Sequence, residues 1–194
     1  MSNGELEPDY VAATQHLWYG HRKLRKRSEL ELCWKAIKAI AVGTGHLSDE
    51  ERVALVGKMM ATATPEAVIE AVMSWDAHTE TPAELLGHVR RSPDERLELG
   101  LWIIYEGLSV SFADGTLALE ERNTVHVVAE TMGVPVSTVE ALIALCRDEA
   151  LVRWRRIKTL QGFIAVPSNR ASSPGDFDLV PITVRGGDAV KRAL

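Results

Sequence analysis

An eight-residue motif occurs twice in this chain, as GTLALEER at residues 115–122 and as GHLSDEER at residues 45–52. The two copies share the glycine, the leucine, both glutamates and the arginine. Glycine tolerates a positive φ where a helix ends, and glutamate in the first turn of the next helix suits the helix dipole. The repeat therefore predicts two similar helix–turn–helix corners. Asp114 precedes the second copy, whereas Thr44 stands in the same place before the first.

Helix signals surround both copies of the motif. A hydroxyl residue followed by proline, or by glutamate three residues later, marks a helix start, and apolar residues then recur at roughly helical spacing. The hydroxyl residues at such starts are Ser28, Ser48, Thr64, Thr81, Ser92 and Ser137. The pattern predicts helices at about 28–43, 48–62, 65–77, 82–91, 93–113, 118–132 and 137–160.

The predicted helices fall into two matching three-helix units, residues 28–77 and 93–160, which the short helix at 82–91 joins. One such unit cannot bury both faces of its apolar helices, whereas two units packed together can. We therefore expect an all-α fold, a single helical bundle of about seven helices with an internal pseudo-two-fold repeat. The bundle would occupy residues 28–160, between an N-terminal basic segment at 1–27 and a C-terminal tail at 161–194.

Composition limits the classes of function. The chain has 194 residues, a formal net charge of −5 and 46% hydrophobic residues, which is ordinary for a globular protein and argues against specific binding of nucleic acid. The two cysteines, Cys33 and Cys146, are far apart and form no C-x-x-C pair, so a reduced, cytoplasmic setting fits best. We expect neither a signal peptide nor a membrane-spanning helix, because no apolar run is long enough.

The tail differs in composition from the helical part. Residues 166–176 are rich in Pro, Ser, Asn and Gly, which is typical of a linker. Residues 177–184, FDLVPITV, are apolar enough to form a short extended segment. We expect this segment either to dock on the helices or to become ordered only on a partner.

The sequence around the second copy resembles a known family. ADGTLALEER at residues 113–122, followed by an apolar helix and by Met-Gly-Val at 132–134, is similar to the signature of the tellurite-resistance TerB-like proteins. It also resembles the TerB-like domain of membrane-anchored J-domain co-chaperones. The resemblance covers roughly residues 28–150. It implies an all-helical bundle with internal pseudo-symmetry, which acts without catalysis in stress responses by interacting with protein partners.

The resemblance also implies a divalent cation bound by an acidic cluster. Asp114 and Glu121 match the family's two acids, and Glu51 matches the glutamate of the first copy, where Thr44 replaces the aspartate. A carboxylate on the turn and others in the next first turn, including Glu120, can converge on one hard cation such as Ca²⁺ or Mg²⁺. Because half of a symmetric site is lost and no EF-hand sequence is present, we expect weak binding.

Two other features leave alternative functions open. Glu106 is in the most apolar helix, either on an exposed polar face or buried as the acid or base of a small enzyme or enzyme accessory protein. A basic run near the N-terminus is either a solvated helix face or the anion-binding patch of a membrane-surface adaptor. Its residues are Arg22, Lys23, Arg25, Lys26 and Arg27. A homodimer is also left open.

Overall fold

The structure, a computed structural model, describes residues 27–43, 45–89 and 91–164. Most of these residues are helical. This part of the chain contains seven helices and no strand, which confirms the all-α prediction. The helices are α1 (Arg27–Ala41), α2 (Asp49–Ala61), α3 (Glu66–Ser74), α4 (Pro82–Gly87), α5 (Pro93–Ser111), α6 (Leu119–Met132) and α7 (Val136–Ile164).

Three of the predicted helix starts have the expected capping box. Ser48, Thr81 and Ser92 each accept a hydrogen bond from the backbone N–H three residues on, and the glutamate there accepts one from the cap residue. The prediction at Thr64 was wrong, because its hydroxyl accepts the indole N–H of Trp34 at 3.1 Å and makes no cap hydrogen bond. The helix predicted from Ser137 begins earlier, at Val136.

The ends of three helices differ from the predicted bounds by three or four residues. The helix α3 stops at Ser74 because the buried ammonium of Lys38 binds carbonyl oxygens at its C-terminal end. They are those of Val72 and Met73 in the last turn and of Trp75 just after it, at 2.6–3.0 Å. The helix α4 stops at Gly87. The helix α7 continues to Ile164, past the predicted boundary between bundle and tail at 160.

The core lies between the two three-helix units. The most extensive helix–helix contact joins α1 to α5, the first helices of the two units. The indole rings of Trp34 on α1 and Trp102 on α5 meet edge to face, with centroids 5.3 Å apart. In addition, α1 contacts α6, and α2 contacts α5. Each unit therefore buries its apolar side chains against the other, and the two form one hydrophobic core.

The two copies of the repeated motif form similar turns. Gly45 and Gly115 both adopt a positive φ, 108° and 99°, which favours glycine at each turn. Just before the first turn, Gly43 lies against the start of α6. A Cβ atom at Gly43 would lie 2.5 Å from the backbone nitrogen of Glu121 and 2.7 Å from its Cα. The end of α1 can therefore approach the start of α6 only because residue 43 has no side chain.

We expect Gly43→Ala to lower the free energy of unfolding by at least about 2 kcal/mol, because backbone atoms, unlike a side-chain tip, cannot move aside. Gly57→Ala is the matched control, since Gly57 is an exposed position of α2 and a Cβ there would meet nothing within 4 Å. The control should be more stable than the parent protein by roughly 0.5–1 kcal/mol. Urea unfolding measures both changes, and a neutral Gly43→Ala would contradict the close approach.

Candidate functional site

The repeated motif places one glutamate from each unit in the interior. Glu51 is the third residue of α2 and Glu121 the third residue of α6, and they are only 5% and 3% exposed. One carboxylate oxygen of each accepts the backbone N–H of the residue that caps its own helix, Ser48 or Ala118, at 2.7 Å. These hydrogen bonds hold both carboxyl groups against their helix starts.

The two glutamates contact each other where the two three-helix units meet. A hydrogen bond joins their side chains. Burial, the hydrogen bond to Glu51 and the negative charges of Glu51 and Asp114 raise the pKa of Glu121 to about 8, against the opposing effect of the Ala118 N–H. The raised pKa favours the protonated carboxyl group of Glu121, which can then donate a hydrogen bond to Glu51. Sharing of this proton relieves the repulsion that two buried carboxylates would otherwise feel.

The other two predicted acids lie outside this pair. Asp114 is exposed, and its Oδ1 accepts hydrogen bonds from the backbone N–H and the hydroxyl of Thr116 at 2.8 and 3.0 Å. Glu120 is also exposed, in the first turn of α6. Within the described ranges, no group of three or more His, Cys, Asp or Glu side chains is placed to hold a metal ion. Thr44 lies outside the described residues.

Glu106 is fully buried, which excludes the exposed polar face as its setting. Its Oε2 lies 2.7 Å from the ammonium of Lys58, so the pair links α5 of the second unit to α2 of the first. The same ammonium lies 5.8 Å from the ring centroid of Tyr105. By the alignment of the repeat, Val128 corresponds to Lys58 and Ala36 corresponds to Glu106. Only one of the two equivalent contacts is therefore an ion pair. Lys58 was not predicted from the sequence as the partner of Glu106, although a lysine inside an otherwise apolar stretch was a signal for it.

The predicted anion-binding patch falls almost entirely outside the described residues. Arg22, Lys23, Arg25 and Lys26 lie outside the described residues, and Arg27 is described only as the first backbone position of α1. Among the described helices, none is both long enough and apolar enough to cross a bilayer.

A comparison with solved structures finds a tellurite resistance protein from Nostoc punctiforme. The match has a TM-score of 0.65 and covers 89% of this chain and 100% of that chain, at 22% sequence identity. The chain shares the fold of that protein. This likeness confirms the fold that the resemblance to TerB-like proteins implied. No protein-family model and no curated protein sequence matches the chain.

The shared proton predicts a pH dependence of stability. Because the pKa of Glu121 in the folded protein lies above its ordinary value of 4.5, the fold favours the protonated form. The stability that Glu121 contributes is thus complete below 4.5, and is lost as the pH rises towards 8 and through it. Glu121→Gln keeps a cap acceptor and a neutral donor towards Glu51. It should remove this slope and be more stable than the parent protein above pH 8, by about 1–2 kcal/mol.

Urea unfolding at a series of pH values measures this effect. Glu120→Gln is the matched control, since Glu120 is exposed one residue away and the substitution should leave the parent slope in place. If Glu121→Gln unfolds with the same pH dependence as the parent protein, the two carboxyl groups do not share a proton.

Proposed function

We propose that this protein is a non-catalytic binding module of the TerB-like kind, which acts in a cytoplasmic stress response by interacting with protein partners. For the binding site itself, the observation that carries the proposal is the contact between the buried side chains of Glu51 and Glu121. We further propose that the pair binds a divalent cation, Ca²⁺ or Mg²⁺, weakly. The likeness in fold to a tellurite resistance protein supports the stress-response part. Two buried cysteines that form no disulfide, Cys33 and Cys146, fit a reducing compartment.

The acidic pair has the chemistry of a cation site, though an incomplete one. Glu51 and Glu121 supply hard oxygen ligands from two rigid helix starts, and the charge of Asp114 adds to the negative potential there. Two carboxylates are few for Ca²⁺ or Mg²⁺, which prefer six or more oxygen ligands. A cation must also displace the shared proton. Both facts support weak binding that strengthens as the pH rises.

The enzymatic alternative has less support. The carboxylate of Glu106 is fully buried and ion-paired with Lys58, an arrangement that serves packing between the units and keeps this carboxylate away from solvent. Nearby, burial, followed by the charge of Glu149, raises the pKa of the Cys146 thiol to about 12, so this cysteine is a poor nucleophile. We therefore assign Glu106 a structural role.

Thermal unfolding with added CaCl₂ or MgCl₂ tests the cation. A ligand at ten times its dissociation constant stabilises a fold by about 1.4 kcal/mol, or roughly 3–5 °C in Tm for a chain of this size. We expect a rise of this order at millimolar Ca²⁺, larger at pH 9 than at pH 7. KCl of equal ionic strength serves as the salt control.

Two sets of variants make the test specific. In Glu51→Gln/Glu121→Gln the cation-dependent rise in Tm should disappear, whereas Glu120→Gln should retain most of it. An equal rise in the double variant would place the cation elsewhere. No rise in the parent protein at either pH would leave the pair with a structural role only, and the proposal would fail.

A further inference from the structure

The distal half of α7, residues 151–161, is largely left uncovered by the other described helices. Every residue in it is exposed. Its large apolar side chains are between 42% and 54% exposed, and they are Leu151, Val152, Trp154, Ile157 and Leu160. At 3.6 residues per turn these positions point in all directions around the helix. Large apolar side chains exposed together on one helix are typical of an interaction surface, so we expect this stretch to be covered.

The same surface is strongly basic. Arg153, Arg155, Arg156 and Lys158 lie within it, and the stretch contains no acidic residue. Arg153 is engaged, because its guanidinium donates to the carbonyl oxygen of Phe112 at 2.6 Å. A groove of about 420 Å³ runs between the end of α5 and α7, and its lining includes Phe112 and Arg156 as well as the acidic Asp148 and Glu149, which precede the basic stretch. The positive charge therefore belongs to residues 151–161 and not to the groove as a whole. A cover for this helix should therefore be apolar and should carry negative charge.

We propose that residues 176–184 of this chain, DFDLVPITV, bind against the distal half of α7 and its groove. The segment combines large apolar residues with two aspartates, Asp176 and Asp178, and has no basic residue, so it complements the surface in both respects. Pro181 lacks a backbone donor and disfavours a helix, which suits an extended strand-like contact along α7. This proposal does not depend on the acidic pair.

The segment is long enough and close enough in the chain to reach the surface. Residues 165–175 connect it to the end of α7 and span up to about 36 Å when extended. The return from Ile164 to Leu151 along the helix is about 20 Å. Docking within one chain also costs little entropy, because a short linker gives a high effective concentration.

Other occupants complement the surface less well. A second copy that packs through this same helix would bring four more positive charges against the first four. The end of the N-terminal segment, HRKLRKR at residues 21–27, is basic and would be repelled in the same way. The tail segment is therefore the occupant to which the charges point.

Hydrogen–deuterium exchange of the full chain tests the docking. In the parent protein the amides of residues 151–161 should exchange slowly, and in Leu179→Asp/Ile182→Asp they should exchange about tenfold faster, because the helix loses its cover. Val190→Asp is the matched control beyond the segment and should leave the exchange unchanged. A zero-length carboxyl–amine cross-linker should also join Asp176 or Asp178 to Lys158 within one chain, and Asp176→Asn/Asp178→Asn should abolish this product.

Each alternative has a distinct result. Exchange that is equally fast or slow in the parent protein and in Leu179→Asp/Ile182→Asp would overturn the proposal. Protection that rises with protein concentration would assign the surface to a second copy. Protection that is lost instead in Leu17→Asp/Trp18→Asp would assign it to the N-terminal segment.

Discussion

The fold depends on the contact between the end of α1 and the start of α6. Gly43 allows the two backbones to meet, and this approach brings together the glutamates that cap α2 and α6. Neither Glu51 nor Glu121 can turn away without giving up the hydrogen bond to its own helix start. Burial then makes two negative charges unfavourable, and the pair keeps a proton. The geometry of the repeat thus imposes the electrostatics of the site.

The two units are similar in backbone but differ in chemistry. Lys58 and Glu106 form an ion pair where the repeat has Val128 and Ala36. A buried ion pair contributes little net stability compared with apolar packing, but either partner alone is costly to bury. The pair therefore favours one alignment of the two units over a slipped or exchanged one. Asp114, which faces solvent on the second turn only, is a further asymmetry.

The helices could be predicted from sequence because capping boxes and apolar spacing are local signals. The errors arose where a distant residue decides a local outcome. The hydroxyl of Thr64 serves Trp34 instead of its own helix, and Lys38 from α1 ends α3. Similarly, Glu51 and Glu121 meet only because the two units pack with their helix starts together, which no local signal in the sequence shows. Spacing alone could not show that Asp114 bonds within its own turn.

Because the acidic pair forms only where the two units meet, one measurement on this pair also tests how the units pack. Carbon-13 NMR of the glutamate carboxyl groups follows the protonation of Glu121 directly. We expect a transition of the Glu121 carboxyl carbon near pH 8, and the signal of the Glu51 carboxyl carbon should respond to its neighbour in the same pH range. A Glu121 transition below about pH 5, as in an unperturbed glutamate, with no response of Glu51, would contradict it. That result would mean that the two units do not press their helix starts together.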